Sequence, residues 1–271
     1  MFIIEPIPPL KSVVKQFWYT NIQASNGQGI KCKILADGAP GIIFQHEQGH
    51  SAVVNKTSIH LPVAFAYGQS TQPCLNEIIG RPFIFGVNFR PNAFKTLFSL
   101  DASELTNDIV DIEHLLGAEF CERLLEAASP QEVIQLFSKQ FLQKALEQKQ
   151  QMIVASIHLI LQKTPEIDPK MLASHFHISR RQFQRKFKAC IGVCPEMYIR
   201  IVKFQKSLHL ISQGQYCKLS DIGYALNYAD QSHFNREFKL FAGDTPKQFE
   251  KTKKLEQPFV QSNTALRIVR Y

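Results

Sequence analysis

The chain has 271 residues, of which 45% are hydrophobic and 20% are charged, and its mean hydropathy is -0.13. A chain of this length holds two domains of ordinary size, and this share of apolar residues excludes a disordered chain. The sequence shows neither an apolar run of about 18 residues nor a basic segment followed by an apolar one at its start. We therefore expect no membrane span, no signal segment and a cytoplasmic location.

The formal charge of +8 is unevenly distributed along the chain. Residues 1–150 carry 12 basic and 14 acidic side chains, whereas residues 151–271 carry 19 basic and 9 acidic ones. The whole positive excess therefore belongs to the C-terminal part. A domain with such a positive excess favours a polyanionic partner, because each phosphate that it neutralises releases condensed counterions. Nucleic acid is the first candidate partner, and an anionic membrane surface is the competing one.

The N-terminal half has the patterns of β-strands. Residues 30–34 alternate apolar residues with lysines, and turn residues at 37–41 separate them from an apolar run at 42–44, which predicts strand, turn and strand. Residues 83–89 alternate again and place several aromatic rings on one face of a sheet. With the aromatic residues 17–19, these rings predict a sheet core; a ligand pocket lined by some of them is the alternative.

From about residue 101 the apolar period becomes helical. One predicted face contains Leu115, Leu116, Phe120, Leu124 and Leu125. A second helix opens at residues 129–132 with a capping box and a proline at its first position, and its apolar stripe runs through Val133, Leu136, Phe137 and Phe141. The polar stretch 147–151 predicts the domain junction.

Residues 46–50 read His-Glu-Gln-Gly-His, which matches the zinc-protease pattern of two histidines one helical turn apart. That chemistry requires a helix, whereas a strand-like run precedes this segment and Gly49 weakens a helix. A turn between two strands fits better. A zinc hydrolase that uses His46, Glu47 and His50 is the alternative hypothesis; the favoured interpretation is a chain that is not an enzyme, with no catalytic residue, no metal and no cofactor.

The six cysteines are scattered and form no Cys-x-x-Cys pair, which predicts reduced thiols in apolar slots. Cys190 and Cys194 are four residues apart, but the neighbouring Gly192 and Pro195 suggest a helix end. Ordinary packing is therefore favoured over a shared metal at this pair.

Two segments of the C-terminal half repeat each other. Residues 179–198 align with residues 230–249 at an offset of 51 and share six identities. The identical pairs are Phe183/Phe234, Arg185/Arg236, Phe187/Phe238, Lys188/Lys239, Gly192/Gly243 and Pro195/Pro246. A short apolar-periodic helix begins upstream, near Leu172 in the first unit and near Ile222 in the second. The unit is a helix, a turn and a second helix, and it occurs twice.

Each second helix of the repeat has one apolar and one basic face. At 100° per residue the paired phenylalanines fall on one side, and arginine, lysine and amide side chains fall opposite. Arginine can bond guanine twice, and glutamine or asparagine can do the same with adenine, so these residue types suit the major groove. Their recurrence favours duplex DNA over a membrane as the partner. The candidate DNA-binding residues are Arg180, Arg181, Gln184, Arg185, Lys188, Gln231, Ser232, His233, Asn235, Arg236 and Lys239.

The sequence also predicts how these helices begin and how they are connected. Ser179 and Asp230 are well placed as their N-caps. Between the units, residues 196–212 carry an apolar stripe that predicts a spacer helix about 25 Å long. Two recognition helices on one chain would then enter major-groove segments about 34 Å apart.

These motifs resemble the AraC/XylS-type transcription regulators. The second unit is the closer match, through residues 220–222 and 230–239, and then Gly243, Thr245-Pro246 and Phe249. The first unit matches through Leu172-Ala173, Ser179, Phe183, Arg185, Phe187-Lys188, Gly192, Pro195 and Tyr198-Ile199-Arg200. The resemblance implies a bipartite helical DNA-binding domain that usually recruits RNA polymerase at promoters. In the family the groove-facing positions correspond to Arg181, Gln184, Arg185, Ser232, Asn235 and Arg236.

Some positions depart from the family pattern. The turn residue that is usually glycine is His177 in the first unit and Asn227 in the second, and Gly223 stands where alanine is usual. Asparagine adopts a left-handed turn more readily than histidine does. Residues 1–146 resemble, more weakly, the β-rich regulatory domain of one branch of the family, and this resemblance identifies no ligand.

The sequence thus predicts an α+β chain, with a β-rich N-terminal domain whose helices follow its strands and an all-α double helix-turn-helix domain. The predicted bounds are 1–147, 148–254 and a tail at 255–271 without an assigned role. The predicted function is a sequence-specific regulator, more an activator than a repressor. Its N-terminal domain senses a small molecule or mediates self-association, and the chain is a monomer or a homodimer. An architectural DNA-binding protein without a sensing role is the alternative.

Overall fold

A computed structural model describes residues 1–22, 29–145, 150–214 and 216–255 of the chain. In these ranges the strands are β1 Phe2–Ile4, β2 Val14–Asn21, β3 Ile30–Ile34, β4 Gly41–His46, β5 Val53–Asn55, β6 Ala64–Tyr67, β7 Cys74–Ile78, β8 Phe83–Phe89 and β9 Ile109–Asp111. The helices are α1 Ala93–Phe98, α2 Glu113–Leu116, α3 Ala118–Glu126, α4 Pro130–Ala145, α5 Gln151–Lys163, α6 Pro169–His175, α7 Arg180–Ile191, α8 Pro195–Gln213, α9 Leu219–Ala225, α10 Gln231–Ala242 and α11 Pro246–Leu255. Short 3-10 helices occur at Pro8–Leu10 and Ala102–Leu105.

The N-terminal strands form two antiparallel sheets. The larger sheet has the order β1-β2-β8-β4-β6-β9, and the smaller has the order β3-β7-β5. The two faces of β8 contact different parts of the domain: Phe85 stacks on Phe137 of α4 with ring centroids 5.6 Å apart, whereas Ile84 packs in the cluster between the sheets. The alternating aromatic residues therefore do form a sheet core, as predicted.

The strands predicted at residues 30–44 form, but they do not make a hairpin. β3 pairs with β7 in the smaller sheet, and β4 pairs with β6 and β8 in the larger one, so residues 35–40 cross between the sheets. The strict alternation predicted for β3 is also wrong at Lys33, which is 7% exposed. A contact with the C-terminal domain accounts for this burial, as described below.

The predicted helices after residue 101 form with corrections. The stripe of five apolar residues is split, because Gly117, whose φ is +87°, separates α2 from α3. Leu125 is 42% exposed, so its assignment to the buried face is wrong. The predicted capping box forms in part: α4 begins at Pro130 and Ser129 Oγ accepts a hydrogen bond from the Glu132 amide at 3.3 Å, but Glu132 Oε2 accepts from the Ala128 amide at 2.9 Å and not from that of Ser129.

The His-Glu-Gln-Gly-His segment is a tight turn. His46 ends β4, Glu47 and His50 exchange backbone hydrogen bonds, and both Gln48 and Gly49 have positive φ. Two histidines on one helical face are what the zinc-protease chemistry requires, and this backbone does not provide them. The turn expected from the sequence is the observed conformation.

The C-terminal domain is helical, and its core contains the four repeated phenylalanines. Phe183, Phe187, Phe234 and Phe238 are all 1% exposed or less. They pack around α8, the predicted spacer helix, which has 19 residues and a length of about 28 Å. No helix in the described ranges combines the length and the apolar character that crossing a membrane requires.

Two predicted features fall partly outside the described residues. The domain junction at 147–151 overlaps residues 146–149, and α5 begins at Gln151, after Gln150. The C-terminal tail also lies outside the described residues, except that α11 extends to Leu255.

Candidate nucleic-acid interface

Both helix-turn-helix units make the same left-handed turn. His177 has a φ of +54° and Asn227 has a φ of +50°, at the end of α6 and α9 respectively. In the first unit the Ile178 amide donates to the Ala173 carbonyl at 3.2 Å, and in the second the Tyr228 amide donates to the Gly223 carbonyl at 3.0 Å. These six-to-one bonds satisfy carbonyls that the helix end leaves free. The histidine of the first unit therefore adopts the same turn as the asparagine of the second.

The recognition helices α7 and α10 begin at the predicted caps. Ser179 and Gln182 form a complete capping box at the start of α7. At the start of α10, Asp230 Oδ1 accepts a hydrogen bond from the His233 amide at 2.6 Å. These local bonds fix where each recognition helix starts and therefore which side chains lie on its outer face.

The outer face of α7 contains the exposed cationic side chains Arg181, Arg185 and Lys188. Two further candidates on this helix are already bound within the chain. Glu196 Oε1, at the start of α8, accepts from Arg180 Nη2 at 3.1 Å and from Gln184 Nε2 at 3.0 Å.

The outer face of α10 is more open. Gln231, Ser232, Arg236 and Lys239 are exposed, and Asn235 is half-buried. His233 is also half-buried. Its Nδ1 accepts a hydrogen bond from the Ala229 amide at 3.3 Å, and its ring packs edge-on against Tyr228 with 5.4 Å between the ring centroids. Its ring thus stabilises the turn before α10.

A bidentate ion pair holds the second recognition helix to the spacer helix. Arg200 on α8 binds Glu237 on α10 through Nε at 2.7 Å and Nη2 at 2.8 Å. The guanidinium also lies 5.6 Å from the centre of the Phe241 ring. The hydrogen bonds to Glu237 raise the pKa of Arg200.

Two family models match parts of the chain. A family model described as a helix-turn-helix domain matches residues 172–252, and a domain of unknown function, DUF6597, matches residues 3–111. The HTH-type transcriptional activator RhaS of Escherichia coli O139:H28 is 28% identical over 74 residues, which are 27% of this chain and 26% of that protein. In these matches the chain is similar to helix-turn-helix transcription regulators of the AraC/XylS type.

The chain spans about a quarter of the length of the curated relatives that it matches. Among solved structures, ToxT from Vibrio cholerae is 13% identical, with 87% of this chain and 98% of that chain covered and a TM-score of 0.47. The DNA-binding domain of AdpA in complex with a target DNA is 16% identical, with 40% of this chain and 97% of that chain covered and a TM-score of 0.37.

Two further side chains, Glu196 and Glu237, contribute to the interface and are not among the residues predicted from the sequence. Glu196 binds two of the predicted α7 candidates, and the residue at the equivalent position of the second unit, 51 residues later, is the exposed Lys247. The alignment at that offset contains this acid-to-base difference. The alignment of the two repeats does not indicate the Arg200–Glu237 pair, because the two residues lie on different helices and do not occupy equivalent positions.

Proposed function

We propose that the chain is a sequence-specific DNA-binding transcription regulator, and that α7 and α10 read two major-groove segments of one duplex. The recurrence of the same exposed face in both units carries this proposal. Each outer face combines arginine with amide or hydroxyl side chains above a buried pair of phenylalanines. Arginine and amide groups are the side chains that distinguish base pairs by bidentate hydrogen bonds.

The length of the spacer helix supports a reading in which the two faces occupy separate groove segments. The helix is about 28 Å long, which is close to the ~34 Å length of one turn of the duplex. The positive excess of residues 151–271 supplies phosphate contacts on either side of each groove. We propose activation rather than repression, through recruitment of RNA polymerase, as the family resemblance implies.

We further propose that the N-terminal domain senses a small molecule. A cavity of about 390 Å³ opens between the two sheets. Its apolar wall includes Ile43, Leu61 and Phe65, and polar side chains such as Asn76 and Asn107 lie at its border. Apolar cavities of this size with a few polar groups are typical of small-ligand sites.

Selection of duplexes from a random pool by the full chain tests the DNA-binding proposal. We expect enrichment of a bipartite site, a binding constant that falls steeply with salt, and much weaker binding to a scrambled site. Arg236→Ala on α10 should weaken the selected site, and the matched control Arg123→Ala on α3 should not. No binding at low salt contradicts the proposal, and equal affinity for selected and scrambled sites favours an architectural DNA-binding protein.

A further inference from the structure

The N-terminal domain contacts both helix-turn-helix units at the same structural position. Gly192 directly follows α7 and Gly243 directly follows α10; the two glycines are equivalent in the repeat and have φ values of +97° and +78°. At the first turn Thr106 Oγ1 donates to the Gly192 carbonyl at 2.7 Å. At the second turn Lys33 Nζ binds Asp244 Oδ2 at 2.6 Å. One domain thus holds the C-terminal ends of both recognition helices.

These contacts are close and shielded from water. A Cβ atom added at Gly192 would lie 3.0 Å from the Ala102 carbonyl, and one added at Gly243 would lie 3.3 Å from Pro73 Cγ. The side chain of Lys33 is 9% exposed and that of Asp244 is 27% exposed. A shielded ion pair is weakly screened by salt, and removal of one partner leaves a charge without its counter-ion.

A third contact holds the spacer helix between the two units. The crossover after β3 places Leu35 and Ala36, which are 1% and 0% exposed, within the core of the C-terminal domain. Gln205 of α8 donates to the Ala36 carbonyl, and Gly38 lies against Tyr198 and Ile201 of the same helix.

The contacts leave the proposed DNA-reading side chains uncovered. Arg181 and Arg185 on α7, and Ser232 and Arg236 on α10, are exposed while the domains are docked. Docking therefore does not block these side chains. It restricts how the two units can move relative to each other. Without these contacts, a rotation of about 10° at one end of α8, which is ~28 Å long, would move its other end by about 5 Å.

We propose that the N-terminal domain sets the spacing of DNA half-sites that the chain accepts, with Lys33 and Thr106 as specificity-determining residues that touch no DNA. This inference rests on the proposed DNA-binding function. One base pair of added spacing moves a half-site by about 3.4 Å along the duplex and rotates it by about 34°. Two recognition helices whose C-terminal ends are both held by one domain tolerate such a change poorly, whereas helices joined only through α8 tolerate it better.

The test measures the affinity of the full chain for duplexes in which the spacing between the two selected half-sites varies by single base pairs. We expect the unaltered chain to prefer one spacing by about tenfold or more over its neighbours, and Lys33→Glu or Asp244→Lys to reduce this preference to about threefold or less. The double variant Lys33→Glu/Asp244→Lys restores the ion pair with reversed polarity, so it should restore the preference. Lys31→Glu, on the exposed face of the same strand, is the matched control and should leave it unchanged.

Thr106→Val provides a second route to the same answer, because it removes one hydrogen bond and keeps the shape of the side chain. It should broaden the spacing preference even if a charge-reversed variant fails to fold. An unchanged preference in Thr106→Val together with no rescue by the double variant overturns the inference. A chain that binds the selected sites equally at every spacing also overturns it and leaves the proposed function standing, whereas a chain that binds no duplex contradicts the proposed function itself.

Discussion

The two helix-turn-helix units share a backbone but differ in the charge beside the recognition helix. In the first unit Glu196 binds Arg180 and Gln184, so part of the α7 face is already engaged within the chain. In the second unit the equivalent residue is Lys247, which is exposed and adds positive charge beside α10. The comparison teaches that a repeat with one fold can present two faces of different electrostatic strength. We expect the second unit to bind DNA more strongly and the first to adjust its contacts on binding.

The largest expected effect is a loss of base-pair discrimination when the equivalent arginine of either recognition helix is replaced. Arg236→Ala should remove about 1–3 kcal/mol of discrimination at one base pair of the half-site read by α10. Arg185→Ala should do the same in the other half-site. Affinity measurements against every single-base variant of the selected duplex test this. A uniform loss on all sequences would show that the arginine binds phosphate.

The second prediction concerns the ion pair that holds α10 to α8. Arg200→Ala leaves the Glu237 carboxylate, whose side chain is 14% exposed, without its bidentate partner. The free energy of unfolding should fall by about 2 kcal/mol. In Arg200→Ala, hydrogen exchange should speed up in α10 more than in α7. The exchange rates and the stability of Arg200→Lys should lie between those of the unaltered chain and those of Arg200→Ala. Equal loss of protection in both helices would contradict a role specific to the second unit.

The third prediction exchanges the charges that distinguish the units. Glu196→Gln weakens the hold on Arg180, so DNA affinity should rise a few-fold and the slope of log affinity against log salt should steepen by about one. Lys247→Glu should have the opposite effect. Glu119→Gln, on an exposed position of α3, is the matched control and should change neither quantity. The comparison between the units fails if both exchanges leave the salt slope unaltered.

The smallest expected effect compares the two left-handed turns. His177→Gly removes the strain of a bulky residue at a φ of +54° and should raise the free energy of unfolding by about 0.5–1 kcal/mol. Asn227→Gly should change it much less, because asparagine tolerates this conformation. Denaturant titration of the two variants measures the difference. A larger gain in the free energy of unfolding from Asn227→Gly than from His177→Gly would contradict the claim that the histidine turn is the more strained of the two.

Local patterns in the sequence predicted the C-terminal domain well. The repeated phenylalanines, the caps at Ser179 and Asp230 and the spacer helix all follow from helical periodicity and capping chemistry, which act over a few residues. The same patterns predicted the strands β3, β4 and β8 in the N-terminal half.

Contacts between distant residues could not be predicted in this way. Lys33 alternates with apolar neighbours as a solvent-facing residue would, yet Asp244, which is 211 residues away, buries it. β3 and β4 are adjacent in sequence but belong to different sheets, because pairing depends on strands that come later in the chain. Periodicity reports only which face of an element is buried and does not identify what covers it.

Hydroxyl-radical footprinting of the full chain on its selected duplex shows whether α7 and α10 read separate half-sites. We expect two protected patches on one side of the duplex, about one helical turn apart, and Arg236→Ala should weaken only one of them. A single protected patch, or equal loss of both patches in Arg236→Ala, would contradict the claim that α7 and α10 read separate half-sites.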